Sequence, residues 1–190
     1  IIDPEIATIV RDLSVSYEQV GDLQKAIQVG LNSAESYKVL ASQDSIQYYA
    51  DLANAYENLS EMYLEAGIPH EAVPFNEEAA RMYRQLTKED SEEYISDFTY
   101  SLHYLGKVYR SLLKFPEALR VFQQVDSILQ IPVHAKENPI LSKLIKLNIN
   151  QLNREDAEGK VLDNRGWEFF MAGQVDSAQK YLLLSKVAYK

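Results

Sequence analysis

The sequence predicts an all-α fold, a right-handed α-solenoid of stacked antiparallel helix pairs. Three observations predict it. The first is a recurrence. Ala7–Leu52 align on Ala53–Phe98 without a gap at a spacing of 46 residues, and about 13 positions agree. They include Leu13/Leu59, Ser14/Ser60, Tyr17/Tyr63, Gly21/Gly67, Ala26/Ala72, Ala34/Ala80, Tyr37/Tyr83 and Leu40/Leu86. The second is composition. Gly and Pro occur only 7 and 6 times in 190 residues, too few for the tight turns of a sandwich or barrel. The third is that 46% of the residues are apolar, which suffices for a folded core.

Each element follows from the recurrence. In the first copy, Leu13 and Tyr17 are one helical turn apart and share a face. Gly21 follows where the helix must end, because Gly enters the left-handed conformation at little cost. Asp22 is placed to cap a second helix, and the small Ala26 leaves room for the Tyr ring of the first. The second copy repeats this with Leu59, Tyr63, Gly67 and Ala72, and Pro69 sits just inside the second helix. Asp44–Ser45 and Asp90–Ser91 hold one register and read as caps; the acidic run Glu89–Glu93 reads as a solvated helix start. The third copy has Leu105, Gly106, Tyr109, Pro116, Ala118 and Phe122. Leu113 stands there where Gly is expected, so a differently tightened turn is anticipated. After Pro132 and Pro139 comes an apolar-rich helical stretch, then a fourth copy with Gly166, Phe169, Gly173 and Ala178. The expected organisation is one domain over 1–190, with repeats at about 3–42, 43–88, 90–130 and 155–190 and an extra helix at 139–152.

Several function classes are disfavoured. The formal charge of −9 repels nucleic-acid phosphates and anionic membranes. No cysteine is present, so there is no disulfide framework and no thiolate chemistry, which fits a cytoplasmic setting. No apolar run is long enough to span a bilayer, and no signal peptide is seen. The chain does not start with Met, and the expectation is that it is processed or excised from something longer. His70, His103 and His134 lack metal-ligand spacing, Gly30 and Gly159 are isolated, and no nucleophile–base set is apparent. No cofactor and no enzymatic activity are expected.

Leu–Gly–x–x–Tyr at Leu105–Tyr109, the Gly between helices and the small Ala after it resemble the tetratricopeptide repeat family. The 46-residue period is similar to its long-helix variants, those of kinesin light chains and of repeat tracts attached to microbial signalling proteins. Ser14 and Ser60 depart from the pattern by replacing a small Gly, and Arg165 by replacing a Leu. The resemblance implies a solenoid that binds proteins or peptides, without catalysis. One subset of the family clamps acidic chaperone C-termini with a Lys/Asn/Asn/Lys/Arg set. Here Val15, Tyr100 and Tyr104 occupy such positions and only Asn58 fits, so that assignment is rejected.

In such a stack the first helices line the concave side. The candidate partner-binding residues are Arg11, Asn54, Glu57, Asn58, Glu61, Glu65, His103, Lys107, Arg110 and Trp167. Two readings stay open. Equivalent positions on neighbouring helices could form an ion-pair ladder, Arg11–Glu57–His103 and Glu61–Lys107. Alternatively the groove is polarised, with Glu57, Glu61 and Glu65 facing a basic segment and His103, Lys107 and Arg110 facing a carboxylate. Trp167 either anchors a peptide side chain or packs on the extra helix. The leading function is a protein-interaction module. The alternatives are a peptide-sensing regulatory domain and an oligomerisation spacer, which would bury Leu183, Leu184 and Val187 in a homo-oligomer.

Overall fold

The computed structural model describes residues 2–131 and 138–154. Among them are seven helices and no strand. They are α1 (Pro4–Gln19), α2 (Leu23–Gln43), α3 (Ser45–Glu65), α4 (Pro69–Glu89), α5 (Ser91–Ser111) and α6 (Phe115–Leu129), followed by α7 over residues 139–154. The all-α repeat fold anticipated from the recurrence is therefore the one adopted. The chain divides into two compact units, Ile1–Ser111 and Leu112–Lys190. The boundary falls between α5 and α6. The residues singled out in the fourth copy, Trp167 included, lie outside the described residues.

Four of the helices, α1, α2, α3 and α5, begin where a carboxylate can meet their unpaired N–H groups. Asp3 accepts from the Glu5 amide at 2.9 Å, Asp22 from Lys25 at 3.3 Å, Asp44 from Gln47 at 3.1 Å and Asp90 from Glu93 at 3.0 Å. Pro4 and Pro69 open α1 and α4, where a missing N–H costs nothing. The turns inside the pairs are left-handed, with φ of 80° at Gly21 and 74° at Gly67. Leu113, at the same place in the period, also turns left-handed, with φ of 61°. The expectation of a different turn is thus corrected. The position, not the residue, dictates the geometry, and Leu bears a steric cost of ~1–2 kcal/mol that Gly avoids.

Within the first unit, consecutive helices pack in order along the chain, and α1, α3 and α5 also touch as next-nearest neighbours. The interior is built from small residues at fixed register: Ala7 and Ala53 on first helices, Ala26 and Ala72 on second helices, all fully buried. Tyr37, Tyr83 and Phe98 are large aromatic residues of this core. Gly30 of α2 shows how closely helices approach. A Cβ built there would lie 3.0 Å from Leu59 Cδ2 and 3.3 Å from Ser14 Oγ, so the absent methyl is what admits Leu59. Tyr17, Tyr63 and Tyr109 are less buried than their neighbouring alanines. Tyr63 stacks on Phe75 at 5.7 Å, Lys25 Nζ lies 5.4 Å from the Tyr17 ring, and Tyr109 Oη donates to Glu77 at 2.5 Å. The second unit is described by itself: α6 buries Phe115, Ala118, Phe122, Val125 and Leu129 at helical spacing, and α7 buries Leu141, Ile145 and Leu152.

Candidate functional site

The first helices α1, α3 and α5 share one face of the first unit, and polar residues gather on it. A cavity of about 520 Å³ opens there, lined by Arg11 and Val15 of α1, Ala50, Asp51, Asn54 and Asn58 of α3, Tyr83 of α4 and Asp97 of α5. Asn58 Nδ2 donates to Asn54 Oδ1 at 3.3 Å, across one helical turn. Arg11 donates through Nη1 to Asp51 and through Nε to Asp12, both at 3.3 Å, and its guanidinium carbon lies 5.9 Å from the centre of the Tyr37 ring.

Beside the cavity the carboxylates crowd. Burial pushes the Glu57 carboxyl up to about 8, helped by the negative charges of Asp97 and Glu61. Burial also raises Glu18, to about 7, with Glu61 and Glu65 adding to it. Asp97 is raised by burial and then by Glu93. One oxygen of Glu57 and one of Glu18 are buried without a hydrogen-bond partner among the described residues. Tyr104 Oη donates to Glu61 Oε1 at 2.5 Å. Burial and that bond to a carboxylate both hold the Tyr104 phenol above its usual range.

Of the two readings left open, the ion-pair ladder does not form in the register set by the period. Arg11 reaches Asp51 rather than Glu57 because a long guanidinium side chain can pair more than a turn away from its period equivalent. Glu61 takes its hydrogen bond from Tyr104, and Lys107 Nζ lies 4.3 Å from that same ring. His103 is lowered to about 4, by burial first and Lys107 second, so it carries no charge near neutrality to offer Glu57. Arg110 lies in the last turn of α5. The structure therefore places Arg11, Asn54 and Asn58 at the cavity and brings Glu57, Glu61 and Glu65 into one electrostatic group. Glu18, Asp51, Tyr83, Asp97 and Tyr104 were missed by sequence reasoning. Asp51 and Asp97 had a signal, since they hold equivalent positions in the 46-residue period. Glu18 had none, because only the packing of α1 against α3 brings it to Glu61 and Glu65.

Among the described residues no group of three or more His, Asp or Glu is arranged to hold a metal ion, and no helix is long and apolar enough to cross a membrane.

Comparison with known proteins bears on the fold. No curated protein matches the sequence. Among solved structures the chain is similar to BtubC (BKLC) from P. vanneervenii, with 16% identity over 98% of this chain and 64% of that one, at a TM-score of 0.65. It thus spans 64% of the length of that relative. It is also similar to the nearly identical TPR-like repeats of a putative kinesin light chain from Podosopora anserina, with 15% identity, 99% and 97% coverage and a TM-score of 0.55. Residues 52–93 match the family model described as tetratricopeptide repeat, and they span most of α3 and α4, the pair that encloses Leu59, Ala72 and Tyr83. With their 46-residue recurrence and helical pairs, the described residues have a fold similar to tetratricopeptide repeat arrays, and residues 52–93 match the family model itself.

Proposed function

We propose that the face shared by α1, α3 and α5 is the concave binding surface of a non-catalytic interaction module, and that it takes a basic segment of a partner protein. Tetratricopeptide repeats mediate protein–protein interaction; the finer reading rests on one observation. Carboxylates from three helices, Glu18, Glu57, Glu61, Glu65 and Asp97, crowd beside an open polar cavity, and two of them keep an oxygen with no partner among the described residues. A Lys or Arg side chain entering there would relieve like-charge repulsion and supply the missing donor. A pre-formed groove on rigid helices spares the ordering cost of binding. Asn54 and Asn58, side by side on α3, can bond to the main chain of the same segment.

Binding a cation at Glu57 favours its ionised form, so complex formation releases a proton and strengthens as pH rises toward 8. Titration calorimetry with a Lys/Arg-rich peptide and its Asp/Glu-rich counterpart tests this. The basic peptide should bind, weaken at high salt, and lose at least tenfold in affinity when Glu57 and Glu61 are both changed to Lys. Equal binding of both peptides, or indifference to the charge reversal, would refute the reading.

A further inference from the structure

Resting on the basic partner segment proposed above, we propose that the polar cavity seats one arginine side chain of that segment, its guanidinium held between Glu57 and Asp97 as that of Arg11 is held one copy earlier. The first copy shows the arrangement complete. Arg11 donates to Asp51 and to Asp12, both at 3.3 Å, and its guanidinium carbon lies 5.9 Å from the centre of the Tyr37 ring. The Tyr37 hydroxyl meets Thr8 Oγ1 at 3.0 Å. One period on, most of that frame returns. Asp97 stands for Asp51, Tyr83 for Tyr37 and Asn58 for Asp12, and all three line the cavity. Tyr83 is again hydrogen-bonded to the residue at the place of Thr8, which is Asn54. What is exchanged is the cation: Glu57 stands where Arg11 stood.

The exchange gives the second frame an acceptor where the first has a donor. Burial comes first in raising Glu57, and the charges that act on it, Asp97 and Glu61, are both negative. One of its oxygens is buried without a hydrogen-bond partner among the described residues. Burial, then the charges of Glu57 and Asp97, also hold the Tyr83 phenol above its usual range, so the three groups share one environment. A cation that completes this frame comes from outside the chain, and a guanidinium suits it better than an ammonium. Its planar fork of N–H donors can meet carboxylates from α3 and α5 at once, with donors left for Asn58 Oδ1, whose amide nitrogen is already committed to Asn54. Lys would bring a compact, strongly hydrated charge with no such fork. The cavity, about 520 Å³, has room for the guanidinium and its stem.

Titration calorimetry at pH 8 compares a capped peptide of alternating Arg and Gly with its Lys and Gly counterpart, equal in length and charge. The Arg peptide should bind about tenfold more tightly. Asp97→Asn, at an exposed position, should bring the two peptides level. Glu57→Arg supplies the cation from within. It should melt higher than the parent, lose that gain when Asp97→Asn is added, and show no preference for the Arg peptide. Equal affinity of the two peptides for the parent chain would overturn the arginine site and leave a groove that reads charge alone. Binding of neither peptide would overturn both that site and the basic-segment reading. A preference that survives Asp97→Asn, or a folded Glu57→Arg chain that still prefers the Arg peptide, would also overturn the arginine site.

Discussion

Replacing Glu57 with Gln tests the electrostatic description of the groove through stability alone. The carboxyl is raised from 4.5 to about 8 in the folded chain, chiefly by burial. Below pH 4.5 it is protonated in both states and costs nothing. As pH rises from 4.5 toward 8, the unfolded chain ionises while the folded chain holds its proton, and stability is lost over that window. At ~1.4 kcal/mol per unit of difference, the loss at pH 7 is about 3 kcal/mol as an upper figure. Gln has the same shape and no charge to lose. Glu57→Gln should therefore match the parent at pH 4 and exceed it by about 2–3 kcal/mol at pH 7, a melting-point rise of about 4–12 °C. Urea unfolding at several pH values measures the difference directly. A constant offset across pH, or a variant less stable at pH 7, would mean that Glu57 is ionised in the folded chain and that the crowding with Asp97 and Glu61 is relieved in some other way. The same variant should bind the basic peptide more weakly, because stability and binding make opposite demands on this carboxylate.

Other substitutions probe the frame. Leu113→Gly should raise stability by about 1 kcal/mol, read by urea denaturation, since Gly accepts the left-handed turn without strain. Gly30→Val should lose about 1–3 kcal/mol in the same assay, because its Cβ alone would press on Leu59 Cδ2 and the fully buried Leu59 has little room to shift. Asn76 is fully buried on α4, and neither side-chain atom has a hydrogen-bond partner among the described residues. Asn76→Leu, of similar size, should gain about 1–2 kcal/mol, measured as a higher melting temperature.

Much of this fold was legible because a repeat is local information said several times. A period of 46 residues, a Gly or its stand-in after each first helix, Asp before α1, α2, α3 and α5, and Pro at the start of α4 and α6 mark the helices and their turns. The small residues at Ala26 and Ala72 forecast close packing, and both are fully buried. The pairing of charges was not legible. Arg11 was matched to Glu57 by register, yet it reaches Asp51. Tyr104 comes between Glu61 and Lys107, where a direct ion pair was expected. Sequence spacing fixes which residues share a helical face, but not how far a long side chain extends along its neighbour.

What the sequence by itself determined is the class of fold, the ends of most helices and which polar residues share a face of one helix, because each depends on contacts within one or two turns of chain. Only the tertiary structure decided the state of the charges on that face. Burial, with neighbouring carboxylates adding to it, raises Glu18 to about 7 and Glu57 to about 8, and that burial comes from packing between helices. It also decided that Ile6, Ile9 and Leu13 stay open while their equivalents one period on, Leu52, Ala55 and Leu59, are covered, since burial is a property of what packs next door and not of the residue itself.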